Sequence, residues 1–306
     1  MKNKYFYSIL VLIIIFLGFT IYRISKNNLF IKNGSQNSSL INVVAAENFY
    51  GDIVKQLGGN HVRVLSILSD PNADPHEYES SIQDAVAVAK ANIVIENGLD
   101  YDTWMDKLLS ASPNPNRIVL IGGKLASHPL PDNPHVWYGI DNVQAIAGDI
   151  TDSLKKIDPA DAGEFNQNLN KFDNSLQPLF LRIADIKAKY NNTPVGLTET
   201  IYLYQTKPEG LNVLTPFSFE KAIAEGNDPS AGDVAIANNQ ITKKQIKILI
   251  YNVQTITPIT TNLENEAESE NIPVIPVSET MPLGKHYQSW MEDQLLNLEN
   301  ALQATK

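Results

Sequence analysis

The stretch ADAGEFNQNLNKFDNSLQPLFLRIADIKAKY, residues 160–190, predicts the element around which the chain is built. Apolar side chains recur in it at spacings of three and four residues, without a strand-like run between them, which indicates one long helix. The apolar positions are Phe165, Leu169, Phe172, Leu176, Leu179, Phe180, Ile183 and Ile186. Pro178 should kink this helix or interrupt it locally, because proline lacks the N–H group and crowds the preceding turn.

On both sides of this stretch, short apolar runs alternate with amphipathic helical patterns, which is typical of an α/β protein. The expected strands are residues 42–46, 62–68, 92–96 and 117–121 before it, and 194–199, 212–215, 247–252 and 273–279 after it. We therefore predict an α/β fold of two lobes, each a mainly parallel sheet flanked by helices, joined by one long helix. The expected segments are an N-terminal anchor and tether (1–40), a first lobe (41–159), a bridging helix (160–191) and a second lobe (192–306).

The N-terminal segment has the pattern of a membrane anchor. Lys2 and Lys4 precede an uncharged, largely apolar run at residues 5–22, and Arg23 and Lys26 follow it. At ~1.5 Å per residue this run covers about 27 Å, close to the thickness of a hydrocarbon core. No small-x-small cleavage site follows it convincingly. We expect an uncleaved signal-anchor that holds the globular part at the extracytoplasmic face of the cell membrane.

Composition limits the possible functions. An apolar fraction of 43% with 19% charged residues is typical of a folded globular protein. The net charge of -10 argues against a nucleic-acid partner and suits a protein that collects cations, although acidic surfaces are often only solubilising. Cysteine is absent, which excludes disulfides, thiolate metal sites, cysteine nucleophiles and a lipid-modified cysteine. Any metal must therefore be bound by nitrogen and oxygen.

Two of the five histidines directly follow a proline, in DPHEYE at residues 74–79 and in NPHVWY at residues 133–138. Proline fixes the backbone ahead of each imidazole and biases the preceding residue away from helix. Each ring is thus presented from a stiff, non-helical segment, as a metal ligand requires. A single motif of this kind is more often a solvated histidine, but two of them favour a metal site.

Two glutamates come where apolar strands end. Glu199 closes the expected strand 194–199, and Glu279 closes the expected strand 273–279. Ligands of open α/β sheets collect at the carboxyl ends of the strands. A buried glutamate needs solvation, pairing or coordination, so a shared cation would explain both. Two glutamates in exposed loops are the alternative.

The sequence resembles the metal-binding substrate-binding proteins of ABC transporters, of the zinc- and manganese-uptake types, from Val43 to Leu302. The matching pieces are AAENFYGDI at 45–53, DPHEYE at 74–79, NGLDYD at 97–102, NPHVW at 133–137 and the long helix. The resemblance implies a metal site in the cleft between the lobes.

The resemblance also implies the ligands. In that family the first histidine follows the first Asp-Pro, the second lies in Asn-Pro-His, and the third ligand opens the second lobe, as histidine in zinc types and glutamate in manganese types. These positions are His76, His135 and Glu199 in this sequence. The family's fourth ligand is an acidic residue late in the second lobe, and Glu279 is its best match, although the spacing differs from that of manganese-type members.

Four further residues are expected around these ligands. Glu47 and Asn48 follow the first strand and are expected at the cleft mouth, where they could hydrogen-bond across it. Trp137 is expected to pack beside the second histidine. Tyr204 matches a downstream tyrosine of the family.

The implied function is the extracytoplasmic solute-binding component of an ABC transporter. Its cargo is one divalent ion, Mn²⁺ or Zn²⁺, delivered to a membrane permease that works with a separate ATPase subunit. We expect a membrane-attached monomer that binds no nucleic acid. Because glutamate occupies the third ligand position, and because the histidine-rich loop of many zinc types is missing, manganese is favoured over zinc. The lipid-anchoring cysteine of the family is also missing.

Two other classes of function remain open at this point. A metal-dependent hydrolase could use the same ligands, but the sequence has no His-Glu-x-x-His helix, no Gly-x-Ser-x-Gly elbow and no Walker loop. A closed four-ligand shell also leaves no position for a reactive water, so we expect no enzymatic activity. A surface adhesin is compatible with an anchored exterior protein but specifies no binding chemistry.

Overall fold

The computed structural model describes residues 40–305 apart from Asn72, Asp74, His76 and Glu77. The expected anchor at residues 5–22 and the predicted ligand His76 therefore lie outside the described residues. The residues from Ile41 onward form one compact unit. Within the described part, no helix combines the length and apolar character needed to cross a bilayer.

The first lobe is a four-stranded parallel sheet with strand order β2-β1-β3-β4. Its strands are β1 (Ile41–Glu47), β2 (Val62–Leu68), β3 (Ile93–Glu96) and β4 (Ile118–Ile121). Its helices are α1 (Asn48–Gly58), α2 (Ile82–Lys90), α3 (Thr103–Ala111), α4 (Gly122–Leu125) and α5 (Ile140–Ile157). The central strands β1 and β3 are buried along almost their whole length, as continuous apolar runs in a parallel sheet should be.

The long helix α6 runs from Ala162 to Tyr190 and follows a short 3₁₀ turn, Pro159–Asp161. Pro178 does not interrupt it. Leu176 and Leu179, on either side of the proline, are fully buried in the main core. Their packing outweighs the loss of one helical hydrogen bond, which explains why the predicted interruption is absent.

The second lobe repeats the topology of the first, with the parallel order β6-β5-β7-β8. Its strands are β5 (Pro194–Leu197), β6 (Asn212–Val213), β7 (Ile248–Asn252) and β8 (Val274–Val277). Its helices are α7 (Leu203–Glu209), α8 (Phe217–Ala224), α9 (Ala231–Thr242) and α10 (Pro258–Ser269). The predicted α/β fold of two parallel sheets flanked by helices and one long helix is confirmed.

The last helix, α11 (Tyr287–Ala304), packs on the long helix and on the first lobe. Arg182 of α6 donates from Nη1 to Glu299 Oε2 at 2.7 Å. At the start of α11, the backbone N–H of Tyr287 donates to Asp52 Oδ2 of α1 at 2.9 Å. The chain therefore returns to the first lobe after completing the second.

Two further features differ from the sequence-based expectation. Strands β5 and β8 end at Leu197 and Val277, so Glu199 and Glu279 lie two residues beyond the strands. After Leu197 the chain turns into a 3₁₀ helix at Thr200, which releases Glu199 from the sheet. Helix α9 was not predicted, because only three of its residues are buried and its apolar stripe is weak.

The long helix supplies a matched pair of leucines for a test of this packing. Leu176 is fully buried, whereas Leu181 is 71% exposed. We expect Leu176→Ala to lower the free energy of unfolding by about 2–5 kcal/mol, because it leaves a cavity in the core. Leu181→Ala should change it by less than about 0.5 kcal/mol. Urea denaturation of both variants measures this, and similar losses would contradict the packing described.

Candidate metal centre

His135 is fully buried, and its ring orientation is set by its own loop. The side-chain oxygen Asn133 Oδ1 lies 3.0 Å from both the backbone nitrogen and the Nδ1 atom of His135. Since the backbone N–H can only donate, this atom is the amide oxygen, and Nδ1 must carry the hydrogen. The lone pair is then on Nε2, which faces the second lobe. A histidine that binds a metal usually donates a hydrogen bond from one ring nitrogen in this way and coordinates through the other.

Glu199 brings the first carboxylate to this ring. It is 2% exposed, and its Oε2 lies 3.9 Å from His135 Nε2. The other oxygen, Oε1, accepts a hydrogen bond from Asn252 Nδ2 at 3.1 Å. Burial raises the pKa of Glu199 well above 4.5, and the charge of Glu279 raises it further. Among the described residues, no donor bonds to Oε2.

Glu279 brings the second carboxylate and is 1% exposed. Its Oε2 lies 4.0 Å from His135 Nε2 and accepts a hydrogen bond from Tyr101 at 2.9 Å. Its Oε1 accepts from Asn252 Nδ2 at 2.7 Å and from Thr255 Oγ1 at 3.2 Å. Tyr101 belongs to the first lobe, so this carboxylate is contacted from both lobes.

His135, Glu199 and Glu279 thus each offer one ligand atom, and these atoms all lie within 4.8 Å of one another. One neutral imidazole nitrogen and two carboxylate oxygens form a ligand set for a divalent transition metal. The set is assembled from both lobes, with the histidine from the first and the carboxylates from the second. A cation there would offset the repulsion between two buried carboxylates.

The described part of the loop before His76 contacts the Glu279 segment. Gln254 donates from Nε2 to the carbonyl oxygen of Ala73 at 3.0 Å. Its Oε1 accepts from the backbone N–H groups of Glu279 and Thr280. Gln254 therefore connects the loop that carries His76 to the loop that carries Glu279.

The structure gives the four surrounding candidates different positions. Asn48 bonds the backbone of Met281 in both directions, donating to its carbonyl at 2.6 Å and accepting from its N–H at 3.0 Å. The ring of Trp137 packs edge-on to the His135 ring, with centroids 5.2 Å apart. Tyr204 donates to the carbonyl of Asn133 at 3.0 Å and so holds the loop of His135.

Glu47 lies deeper than expected. It is fully buried close to the Asp102 side chain. Burial raises its pKa well above 4.5, and the negative charge of Asp102 adds to this. The raised pKa favours the protonated form of Glu47, which lies buried at the end of β1 rather than at the cleft mouth.

Sequence reasoning missed three residues that hold the ligands. Asn133 and Tyr101 lie inside motifs that carried the family resemblance, yet no role was assigned to them. Asn252 is the last residue of β7 and is fully buried. The rule that pointed to Glu199 and Glu279, a polar residue where an apolar strand ends, would have found Asn252 as well.

A second histidine group lies at the start of the long helix. His61 places Nδ1 3.0 Å from Asp161 Oδ2 and Nε2 3.1 Å from Glu164 Oε2. Its side chain is 20% exposed, and those of the two acids are 34% and 50% exposed. This is the arrangement of an ion pair at the surface, which is usually weak.

Comparison with known proteins adds a family match. The model of the family described as zinc-uptake complex component A, periplasmic, matches residues 43–301. The metal ABC transporter substrate-binding lipoprotein SsaB of Streptococcus sanguinis is 28% identical over 53% of this chain and 56% of its own length. The manganese ABC transporter substrate-binding lipoprotein PsaA of Streptococcus mitis is 25% identical over 59% and 63%. The chain thus spans little more than half the length of the first curated relatives it matches.

Solved structures show the same fold. The periplasmic zinc-binding protein TroA from Treponema pallidum superposes with a TM-score of 0.73 at 18% identity, covering 86% of this chain and 99% of that one. The protein FpvC from Pseudomonas aeruginosa, in complex with Mn²⁺, also gives 0.73, at 17% identity, covering 88% and 100%. At these identities the likeness establishes the fold alone.

The raised pKa of Glu199 predicts how the stability of the metal-free protein depends on pH. The folded protein holds a proton there that the unfolded chain loses near pH 4.5. The stability contributed by this group is fully present below about pH 4.5 and is lost as the pH rises through the folded pKa. Glu199→Gln is uncharged at every pH. Without metal, it should match the wild type near pH 4 and be more stable than the wild type near pH 7.5.

Chemical denaturation in the presence of a chelator, at both pH values, measures this difference. Buried acids that do not interact with Glu199, such as Glu209, contribute equally to the two proteins and cancel. Glu268→Gln, an exposed position on α10, serves as the control and should track the wild type throughout. A stability difference between Glu199→Gln and the wild type that stays constant with pH would show that Glu199 is ionised in the folded protein.

Proposed function

The chain belongs to the family of zinc-uptake complex component A periplasmic proteins, and we propose that it captures a divalent transition-metal ion, manganese or zinc, for an ABC transporter. The ion is cargo, which the protein delivers to a membrane permease that works with a separate ATPase subunit. Both curated relatives named above are substrate-binding lipoproteins of metal ABC transporters, which supports this proposal.

The proposal rests on the positions of the three ligand atoms. The buried atoms His135 Nε2, Glu199 Oε2 and Glu279 Oε2 approach one another from two lobes, with the two oxygens 3.9 and 4.0 Å from the nitrogen. Buried carboxylates this close destabilise a protein unless a proton or a cation compensates their charge. A ligand shell closed by both lobes suits a protein that must sequester an ion and later release it.

We assign His135, Glu199 and Glu279 as ligands, and His76 as the fourth on the strength of the family resemblance. Trp137 shields the His135 ring, and Tyr204 acts through the Asn133 loop. Asn48 joins the lobes at the cleft mouth.

The ion is transported rather than used in catalysis. The three described ligands are 0–2% exposed, which leaves little room for a substrate beside a reactive water. The family is one of transport components and not of enzymes. The same facts weigh against a hydrolase and give no support to an adhesin.

Release requires the lobes to separate. Hydrogen bonds join them at Asn48 and Met281, at Tyr101 and Glu279, and from Asn133 Nδ2 to the carbonyl of Thr200 at 2.8 Å. Docking on the permease would have to break these bonds. We place the protein, as a monomer, at the extracytoplasmic face of the membrane, where residues 5–22 would hold it.

Metal should stabilise the folded protein. Binding to the native state alone adds about 4 kcal/mol when free metal is a thousandfold above Kd. We expect Zn²⁺ and Mn²⁺ each to raise the melting temperature of the wild type, and His135→Ala to abolish the increase. Differential scanning fluorimetry after treatment with a chelator measures the shift.

His128→Ala is the matched control, because the His128 side chain is 77% exposed and pairs with Asp141 at 2.8 Å. It should retain the full shift. The same assay tests the fourth ligand: a full shift in Glu279→Ala, with loss in the other ligand variants, would place that ligand elsewhere.

The cargo itself is tested in cells. Deletion of the gene should lower the cellular content of the transported ion, measured by mass spectrometry of washed cells. The ligand set led us to expect manganese, so manganese should fall. Zinc depletion with manganese unchanged would overturn that assignment and identify zinc as the cargo. Affinity alone does not decide, since zinc binds most nitrogen and oxygen sites more tightly.

A further inference from the structure

The side chain of Asn252 bonds both glutamates at once. Its Nδ2 donates to Glu279 Oε1 at 2.7 Å, to Thr255 Oγ1 at 2.8 Å and to Glu199 Oε1 at 3.1 Å. One of its two N–H groups is therefore shared between acceptors. In both glutamates Asn252 bonds one oxygen, Oε1, while Oε2 of Glu279 accepts from Tyr101.

The orientation of this amide is fixed by its surroundings. Asn252 Oδ1 accepts a hydrogen bond from the backbone N–H of Gln254 at 3.0 Å, and this defines which side-chain atom is the oxygen. Its own backbone N–H donates to Thr198 Oγ1 at 3.1 Å. The residue is fully buried. The NH₂ group therefore points at the two carboxylates without freedom to rotate.

The remaining oxygens face the candidate ion position. Glu199 Oε2 and Glu279 Oε2 are the atoms that lie 3.9 and 4.0 Å from His135 Nε2. Bringing Oε1 onto the ion as well would turn each carboxylate and strain the bond that Asn252 Nδ2 makes to that oxygen. A buried donor left without an acceptor is costly, so this rearrangement is opposed.

We propose that Asn252 restricts each glutamate to one oxygen on the ion and thereby disfavours Mn²⁺ relative to Zn²⁺ at this site. The inference rests on the proposed function and specifies the selectivity of that site. Zn²⁺ is satisfied by four ligands in a tetrahedron, which one oxygen from each carboxylate, His135 and one further ligand would complete. Mn²⁺ favours a larger, octahedral set of oxygens, which carboxylates supply when both oxygens bind.

The test replaces the amide and compares the two ions. Asn252→Leu keeps a similar volume and removes the N–H groups. We expect the ratio of Kd for Mn²⁺ to Kd for Zn²⁺ to fall by about tenfold, an effect in the range that outer partners of metal ligands produce. Competition titrations with a chromophoric chelator give both constants on chelator-treated protein.

Two further variants serve as comparisons for Asn252→Leu. Thr255→Val removes the hydroxyl that bonds Glu279 Oε1 but leaves Asn252 in place, so it should shift the ratio in the same direction by less. Asn239→Leu, at an exposed position on α9, should leave the ratio unchanged. If both affinities fall equally in Asn252→Leu and in Thr255→Val, Asn252 does not set selectivity and the inference is overturned.

The wild type provides a test that needs no variant. A crystal structure with bound Mn²⁺ should show each glutamate coordinating through Oε2 alone. Two oxygens of either glutamate on the ion would overturn the inference while leaving the proposed function intact. Failure of the wild type to bind either ion would instead overturn the proposed function, and the inference with it.

Discussion

The structure depends on the burial of two carboxylates, Glu199 and Glu279, a few ångströms apart. Their ligand atoms lie within 4.8 Å of each other. At about that distance two unit charges repel by roughly 3.5 kcal/mol at an effective dielectric constant of ~20, and burial adds the loss of hydration. Hydrogen bonds and protonation offset part of this cost. Asn252 and Tyr101 donate hydrogen bonds, and a proton on Glu199 removes one charge. The two carboxylates are least stable when both are ionised and no cation lies between them. A divalent cation at this site would therefore stabilise them.

Most of the fold could be predicted because its signals are local. Alternating apolar strands and helical stripes indicated two α/β lobes, and the uninterrupted stripe around Leu176 indicated the long helix. Two predictions about helices failed, because the local sequence pattern alone does not determine these features. Pro178 stays inside a helix because Leu176 and Leu179 pack in the core, whereas α9 was missed because its few buried residues leave only a weak apolar stripe. Neither effect is visible in a short sequence window.

The candidate site was predicted in part. Strand ends and the resemblance pointed to His135, Glu199 and Glu279, and the structure brings these three together. The sequence offered two carboxylate ligands, and this ligand set led us to favour manganese. The sequence does not reveal whether a glutamate binds the ion through one oxygen or two. That depends on which hydrogen-bond donors contact its carboxylate in the folded protein. The position of the Asn252 amide is a property of the folded loop.

The return of helix α11 to the first lobe has a consequence for conformational entropy. Tyr287 bonds Asp52 through its backbone and the carbonyl of Trp137 through its hydroxyl, while Arg182 ties the same helix to α6. The second lobe is therefore connected to the first by two helices rather than by one flexible linker. A hinge with two rigid attachments samples few open arrangements, so capture of a ligand orders little additional chain. Such preorganisation strengthens binding but slows the separation of the lobes on which release depends.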